Sequence, residues 1–245
     1  MPRPIPWSRH DGRLGLQQRW RLALSAVTAR ISRRRRRHVE AFGDERALAC
    51  LAPPTGTLAE SAWRHAQALP PWLLQHSLRT FAWGRLLALR DGLAHEAPVL
   101  FASCLLHDLG LTAAAAAPPE ACFAVRGARA AERLLRADGV DADATYRVAS
   151  AISLHLDPRV EVDVYGADAH LLQAGAALDV VGARARELAP ALRDGVLARH
   201  PRLGMKRELC TCLKAVAQQA PQTRIALYAK RFRFLELVER APFEE

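Results

Sequence analysis

The 245-residue sequence has no long apolar run, no asparagine, only three lysines and few cysteines. A membrane-spanning helix needs about 18 or more consecutive apolar residues, and no segment approaches that length. The mainly apolar residues 22–27 are too short for the core of a secretory signal. We therefore expect neither a membrane span nor a signal peptide, and we expect a cytoplasmic protein.

The five cysteines are too scattered to indicate a disulfide framework or a zinc site. Their number is odd, and Cys210 and Cys212 have no second pair at the spacing of zinc ligands. Cys104 lies in an apolar segment that is typical of a core helix. Unpaired thiols are the expectation, as in a reducing compartment.

The basic residues are almost all arginine, and the net charge is +10. Such a charge ordinarily indicates a nucleic acid or another anionic partner, but a sequence rich in alanine and arginine and free of asparagine is also typical of GC-rich coding. Residues 1–38 contain one acid, Asp11, and end close to a run of five arginines at 33–37. Because like charges oppose compact folding, residues 1–50 are predicted to be a basic tail, disordered or loosely helical. Contact of the tail with RNA or an acidic partner is the alternative.

Apolar residues recur at helical spacing through most of the remaining chain, which predicts an all-α protein. Helices are predicted over residues 75–92, 97–110, 127–138, 142–155, 167–181, 205–219 and 222–240. Residues 160–165 alternate like a strand, but no partner strand is visible, so a loop is favoured there. Residues 201–245 are predicted to pack on the domain formed by residues 51–200 or to form a dimer face.

His107 and Asp108 are the most informative pair, because they follow directly on the apolar residues of a predicted core helix. A carboxylate in such surroundings is costly unless it is paired or bound to a metal. Imidazole nitrogen together with carboxylate oxygen suits zinc, iron or manganese. His76 and Asp179, each in another predicted helix, are the best candidates to complete the ligand set.

Five sequence blocks, in this order, carry a resemblance to a known family. They are His76-Ser-x-Arg79-x-x-x-Trp83-Gly84, Leu105-Leu-His-Asp-Leu-Gly-Leu-Thr112, Phe123-x-Val-x-Gly-Ala128, Ile152-x-Leu-His155 and Leu178-Asp-Val-Val-Gly182. Over residues 69–221 the chain resembles the HD-domain metal-dependent hydrolases, and within them the branch that includes cyanamide hydratase.

The resemblance implies a compact helical bundle of the HD-domain type that holds one divalent metal ion through His76, His107, Asp108 and Asp179. A water bound to that metal would become nucleophilic, because coordination can lower its pKa to about 7. His155 matches a pocket histidine that positions the substrate or moves a proton. Arg79 follows His76 by three residues, so it either faces the same cavity and holds a polar or anionic substrate, or forms a structural ion pair.

Two positions depart from the pattern of that branch. Gln75 stands where an asparagine is common, and it keeps an amide. Ala124 stands where an acidic residue often follows the phenylalanine, so a carboxylate that helps to shape the pocket is missing. This departure bears mainly on the choice of substrate.

Two functions from different classes remain open. The first is a metal-dependent hydrolase or hydratase that acts on a small molecule, either a phosphoester or a nitrile of the cyanamide kind. The second is a catalytically degenerate domain that keeps the metal for stability and works as a binding or regulatory module, with the arginine-rich tail as its contact. The complete ligand set favours the enzyme, and Ala124 and the tail favour the module. A homo-oligomer is compatible with either.

Overall fold

The computed structural model describes residues 5–35, 40–113, 115 and 118–245. Over these residues the protein is all-α, as the sequence predicts. The helices are α1 Leu16–Arg35, α2 Thr57–Ala66, α3 Pro71–Asp91, α4 Ala97–Leu106, α5 Phe123–Ala137, α6 Ala142–Leu154, α7 Val162–Tyr165, α8 Ala167–Val181, α9 Pro190–Arg199, α10 Met205–Gln219, α11 Arg224–Phe232 and α12 Phe234–Glu239. Short 3-10 helices lie at Ser8–His10, Glu45–Leu51, Leu109–Leu111 and Ala185–Glu187. No helix of the described segments is long and apolar enough to cross a lipid bilayer.

The centre of the fold is a bundle in which α3, α4, α6 and α8 pack against one another. The most extensive contact is that of α3 and α8, where the two helices approach through Gly84 and Gly175. A Cβ atom at Gly175 would overlap the carbonyl oxygen of Thr80, so glycine lets the two backbones touch. This close approach brings residues of α3 and α8 to the same buried centre.

The segment after α4 is held against α5 in a similar way. Gly110 lies so close to the carbonyl group of Phe123 and to Gly127 that any Cβ atom would clash with backbone. The predicted helix over residues 97–110 is therefore shorter in the structure: α4 ends at Leu106, and a 3-10 helix follows. The end of α4 is packed tightly under the start of α5.

The last three helices form a second apolar layer over one end of the bundle. α10 packs on α11 and α12, and α10 and α12 also contact α3 and α8 respectively. Met205, Leu209, Leu213, Ile225 and Val238 make up most of its buried core. The four-residue helix α7 occupies most of the segment that was expected to be a loop.

The segment predicted to be a tail contains α1, and its first part contacts the bundle. The backbone nitrogen of Leu14 donates to the carbonyl oxygen of Gln222, and the backbone nitrogen of Cys122 donates to the carbonyl oxygen of Asp11. The indole nitrogen of Trp7 donates to Asp157 over 3.1 Å. Arg36 and Arg37, the end of the arginine run, lie outside the described residues, and a contact of this run with RNA or an acidic partner stays a prediction.

Candidate metal centre

The candidate metal ligands come from two neighbouring helices. His76 lies in α3, His107 caps the end of α4, and Asp108 follows it. Adjacent side chains on a helix diverge by about 100°, but Asp108 has φ −103° and ψ 13°, which takes the chain out of the α-helical path. As a result, His107 Nε2 and Asp108 Oδ2 lie 3.3 Å apart.

The three ligand atoms form a nearly equilateral triangle. His76 Nε2 lies 3.1 Å from His107 Nε2 and 3.5 Å from Asp108 Oδ2. At zinc–ligand distances of about 2.0–2.1 Å, two ligands at the tetrahedral angle are about 3.3 Å apart. The spacing and the donor types therefore fit one divalent cation, and the buried group of His76, His107 and Asp108 could hold it.

Each histidine near this triangle uses its Nδ1 atom in a hydrogen bond of 2.7 Å. The acceptors are Asp179 Oδ2 for His76, the carbonyl oxygen of Cys104 for His107, and the carbonyl oxygen of Ile152 for His155. An Nδ1–H that donates leaves Nε2 as the atom with a free lone pair. All three Nε2 atoms can therefore bind a cation or accept a proton.

Burial and charge together decide the protonation of the triangle. Burial lowers the pKa of His76. Burial alone would raise the pKa of Asp108, but His107 beside it holds that pKa far below its ordinary value. Burial would also lower the pKa of His107, but Asp108 more than offsets this and raises it. Asp108 is thus a charged carboxylate, the form that ligates a metal.

Asp179 lies on the other side of His76 from the triangle, so the structure does not bring this predicted fourth ligand together with the other three. It accepts from Arg79 Nε at 2.8 Å, from Arg79 Nη2 at 3.0 Å and from Trp83 Nε1 at 2.8 Å, besides His76. Burial would raise the pKa of Asp179, but Arg79 and His76 hold it well below its ordinary value. In this arrangement Asp179 fixes the tautomer and the direction of His76.

Arg79 forms the ion pair that was one of its two predicted roles. Its side chain is 0% exposed and pairs with Asp179. Its Nη1 donates to the carbonyl oxygens of His200 and Pro201 at 3.0 and 2.8 Å. Arg79 does not line the cavity beside the triangle, which differs from its other predicted role, contact with a substrate. An arginine inside α3 reaches the Asp179 side because it lies one turn after His76.

His155 lies at the edge of the triangle and lines the cavity. Its Nε2 is 3.7 Å from Asp108 Oδ1, and its ring packs edge-on against that of His107 and tilted against Phe123. Burial, with the charge of His107, lowers the pKa of His155 to about 3. A neutral imidazole with a free Nε2 lone pair can accept a hydrogen bond from a group in the cavity, although a pKa this low makes it a weak base.

A cavity of about 290 Å³ opens directly on His76, His107, Asp108 and His155. One face of α8 and residues of α10, α11 and α12 close it, and these C-terminal residues were not among the predicted site residues. The helical spacing of Gln173, Ala176, Ala177 and Val180 was the available signal for the α8 wall.

Ala124 is not part of that wall. It is 0% exposed and lies in a small apolar cluster with Cys122 and Val125, whereas its neighbour Phe123 lines the cavity. The expectation that Ala124 marks a missing carboxylate in the pocket is therefore corrected. Consecutive residues at the start of α5 point to different sides, and the one that faces the cavity is Phe123.

No protein-family model matches this sequence, and no curated protein matches it. The case for a function therefore depends on the residues and on the geometry of the site. The resemblance to HD-domain hydrolases stays a proposal beside that geometry.

Proposed function

We propose that the protein is a metal-dependent hydrolase or hydratase of the HD-domain type, acting on a small molecule. The observation that carries the proposal is that three buried ligand atoms with metal-like spacing face a cavity of about 290 Å³. His76, His107 and Asp108 would hold the ion, with zinc, iron or manganese as the candidates.

The number of ligands favours a catalytic over a structural site. Structural zinc sites are closed by four protein ligands, whereas catalytic sites use three and keep a position open. A divalent cation bound here would act as a Lewis acid and would bring the pKa of a bound water towards 7.

The chain's own residues have separate tasks in this proposal. Asp179 keeps Nδ1 of His76 protonated, so that Nε2 faces the site. His155 offers Nε2 as a hydrogen-bond acceptor that positions the substrate, because its Nδ1 already donates to the carbonyl oxygen of Ile152. The mainly apolar cavity walls surround part of the reacting group and reduce its contact with water.

The second candidate, a metal-stabilised binding module, is favoured by one surface observation. Leu16, Trp20, Leu24 and Val27 of α1 are 77%, 77%, 67% and 47% exposed, and they recur at a spacing that places them on one side of the helix. An exposed apolar stripe of this kind is suited to contact with a partner. Such a module would keep its metal but would show no turnover.

Metal analysis combined with turnover tests the proposal. The wild type, His107→Ala and the control His10→Ala, an exposed histidine outside the site, are purified and analysed for zinc, iron and manganese. We expect one metal ion in the wild type and the control, and loss of that ion in His107→Ala. Turnover is then measured with each metal on phosphoesters, nucleotides, nitriles and cyanamide. A wild type that binds no metal would contradict the proposal, and metal without any turnover would favour the module.

A further inference from the structure

We infer that the substrate is an uncharged carbon electrophile that carries an apolar group about the size of a phenyl ring, such as an aryl or alkyl nitrile, amide or ester. This inference rests on the proposed function and narrows it, because it disfavours phosphoesters. It also disfavours cyanamide itself, which has no apolar part. The carrying observation is the composition of the cavity wall next to the candidate metal centre.

Much of the cavity wall is apolar, and several helices contribute to it. α8 contributes Ala176, Ala177, Val180 and Val181, and α10 contributes Leu209 and Leu213. Burying an apolar group against such a wall contributes roughly 25 cal/mol for each Å² removed from water. A ligand that presents only polar atoms would not gain this free energy.

Aromatic side chains also line the cavity. They are Tyr228 and Phe232 of α11 and Phe234 of α12, and the ring of Tyr228 contacts both phenylalanines with centroids 6.2 Å apart. The hydroxyl group of Tyr228 already donates to the carbonyl oxygen of Leu156 at 2.9 Å, so its ring rather than its oxygen is offered to a ligand. These rings are suited to contact with an aromatic or branched alkyl group.

The charges around the cavity do not suit a phosphate. Among the described residues that line it there is neither lysine nor arginine, and two carboxylates are present, Asp108 and Asp157. Arg224 neutralises Asp157 at 2.6 Å but does not line the cavity itself. A phosphoester would thus meet a single bound cation and no guanidinium or ammonium group, although such groups are the usual partners of phosphate.

The remaining polar side chain of the wall is uncharged. Gln173 of α8 offers an amide, which can donate to or accept from a nitrile or carbonyl group. The volume of about 290 Å³ is nearly twice the roughly 150 Å³ of an apolar cavity known to hold benzene. A ring plus one small functional group therefore fits.

The reaction that this substrate class implies needs no reactant besides water. In a nitrile, the water oxygen bonds to the carbon, one C–N π bond breaks, and protons pass to nitrogen to leave the amide. In an ester or amide, the same attack is followed by loss of the alcohol or amine, which takes up the proton.

Binding of matched ligands tests the inference without relying on turnover. Benzonitrile, benzamide and phenyl phosphate share the ring and differ in the polar group and its charge. Their dissociation constants are measured by calorimetry on the zinc-loaded wild type, on His107→Ala and on two arginine variants. Val180→Arg places a charge on the cavity wall, and Val164→Arg is the matched control, because Val164 is 63% exposed on α7.

We expect benzonitrile and benzamide to bind at least about tenfold more tightly than phenyl phosphate. Val180→Arg should weaken the binding of benzonitrile by about tenfold or more, because the arginine fills part of the cavity and buries a charge. Val164→Arg should leave the binding of benzonitrile unchanged. If Val180→Arg does not fold, Ala177→Trp, which fills the same wall without charge, replaces it. Tighter or equal binding of phenyl phosphate, or benzonitrile binding that neither wall variant changes, would overturn the inference.

Failure of the inference and failure of the proposed function have different signatures. Binding of benzonitrile that persists in His107→Ala, with no turnover by the metal-loaded wild type, would contradict the proposed enzyme and leave the ligand class standing. Turnover of phenyl phosphate in preference to the uncharged ligands would contradict the ligand class and leave the hydrolase standing.

Discussion

Replacing Asp179 by asparagine is expected to destabilise the protein severely. The substitution keeps the shape of the side chain but removes its charge. Asp179 and Arg79 are both 0% exposed, and Arg79 donates to Asp179 through Nε and Nη2 at 2.8 and 3.0 Å. In Asp179→Asn, the guanidinium group would stay in the core without a carboxylate.

The expected loss follows from the burial of both partners. Removing one partner of a buried ion pair costs about 3–5 kcal/mol, because the other charge is left uncompensated away from water. The whole free energy of unfolding of a domain is about 5–15 kcal/mol. Asp179→Asn should therefore lose a large share of the stability. In Arg79→Met/Asp179→Asn the buried charge of Arg79 is also gone, and Arg202, which lies 3.5 Å from Asp179, keeps its ion pair with Glu245. We therefore expect the double variant to be more stable than the sum of the single changes by about 2 kcal/mol.

Urea unfolding followed by circular dichroism measures these differences. EDTA is present throughout, so that loss of a bound metal does not add to the result. Asp194→Asn, at an exposed aspartate of α9, is the matched control and should change the free energy of unfolding by less than about 0.5 kcal/mol. A loss below about 1 kcal/mol in Asp179→Asn, or strict additivity in the double variant, would refute the role given to this buried pair.

Three further outcomes are expected. Asp108→Ala should abolish metal binding, whereas Asp179→Ala should weaken it by about 10–100-fold, because Asp179 acts through His76. Equal losses of metal affinity in a metal titration would place both carboxylates in contact with the ion. His155→Phe should keep the metal and lower turnover by about tenfold, because it removes a hydrogen-bond acceptor beside the triangle. Unchanged turnover would remove His155 from the site. The hydrogen bond from Ser61, aided by His65 and Arg64, holds the pKa of Asp138 below its ordinary value, so its stabilisation is present above about pH 4 and lost as pH falls through the folded-state pKa. The difference in free energy of unfolding between the wild type and Asp138→Asn should shrink in acid. A difference that does not depend on pH would contradict this role of Asp138.

Local features of the sequence were sufficient for much of the fold. The helical spacing of apolar residues predicted α3, α8 and most other helices, because a helix must bury one face whatever it packs against. The same spacing did not predict how α4 ends. That end depends on Gly110, which lets α5 approach so closely that the chain leaves the α-helical path at Asp108.

The candidate site was likewise predictable from the sequence only in part. His76, His107 and Asp108 were predicted from residue type and context, and the structure brings their ligand atoms together. The place of Asp179 was not predictable in this way. Whether the carboxylate of Asp179 faces the ligand triangle or the far side of His76 depends on Arg79 and Trp83, because both donate to its oxygens.

The sequence by itself determined that this protein is helical and that buried histidine and aspartate side chains are available to a metal, because both depend on residue type and local spacing. Only the tertiary structure decided what surrounds them. The cavity wall comes from α8 and α10–α12, and Asp179 is paired with an arginine 100 positions away in the chain. Contacts of that range depend on how helices cross, which local spacing does not encode, so the chemistry of the pocket became visible only in the folded protein.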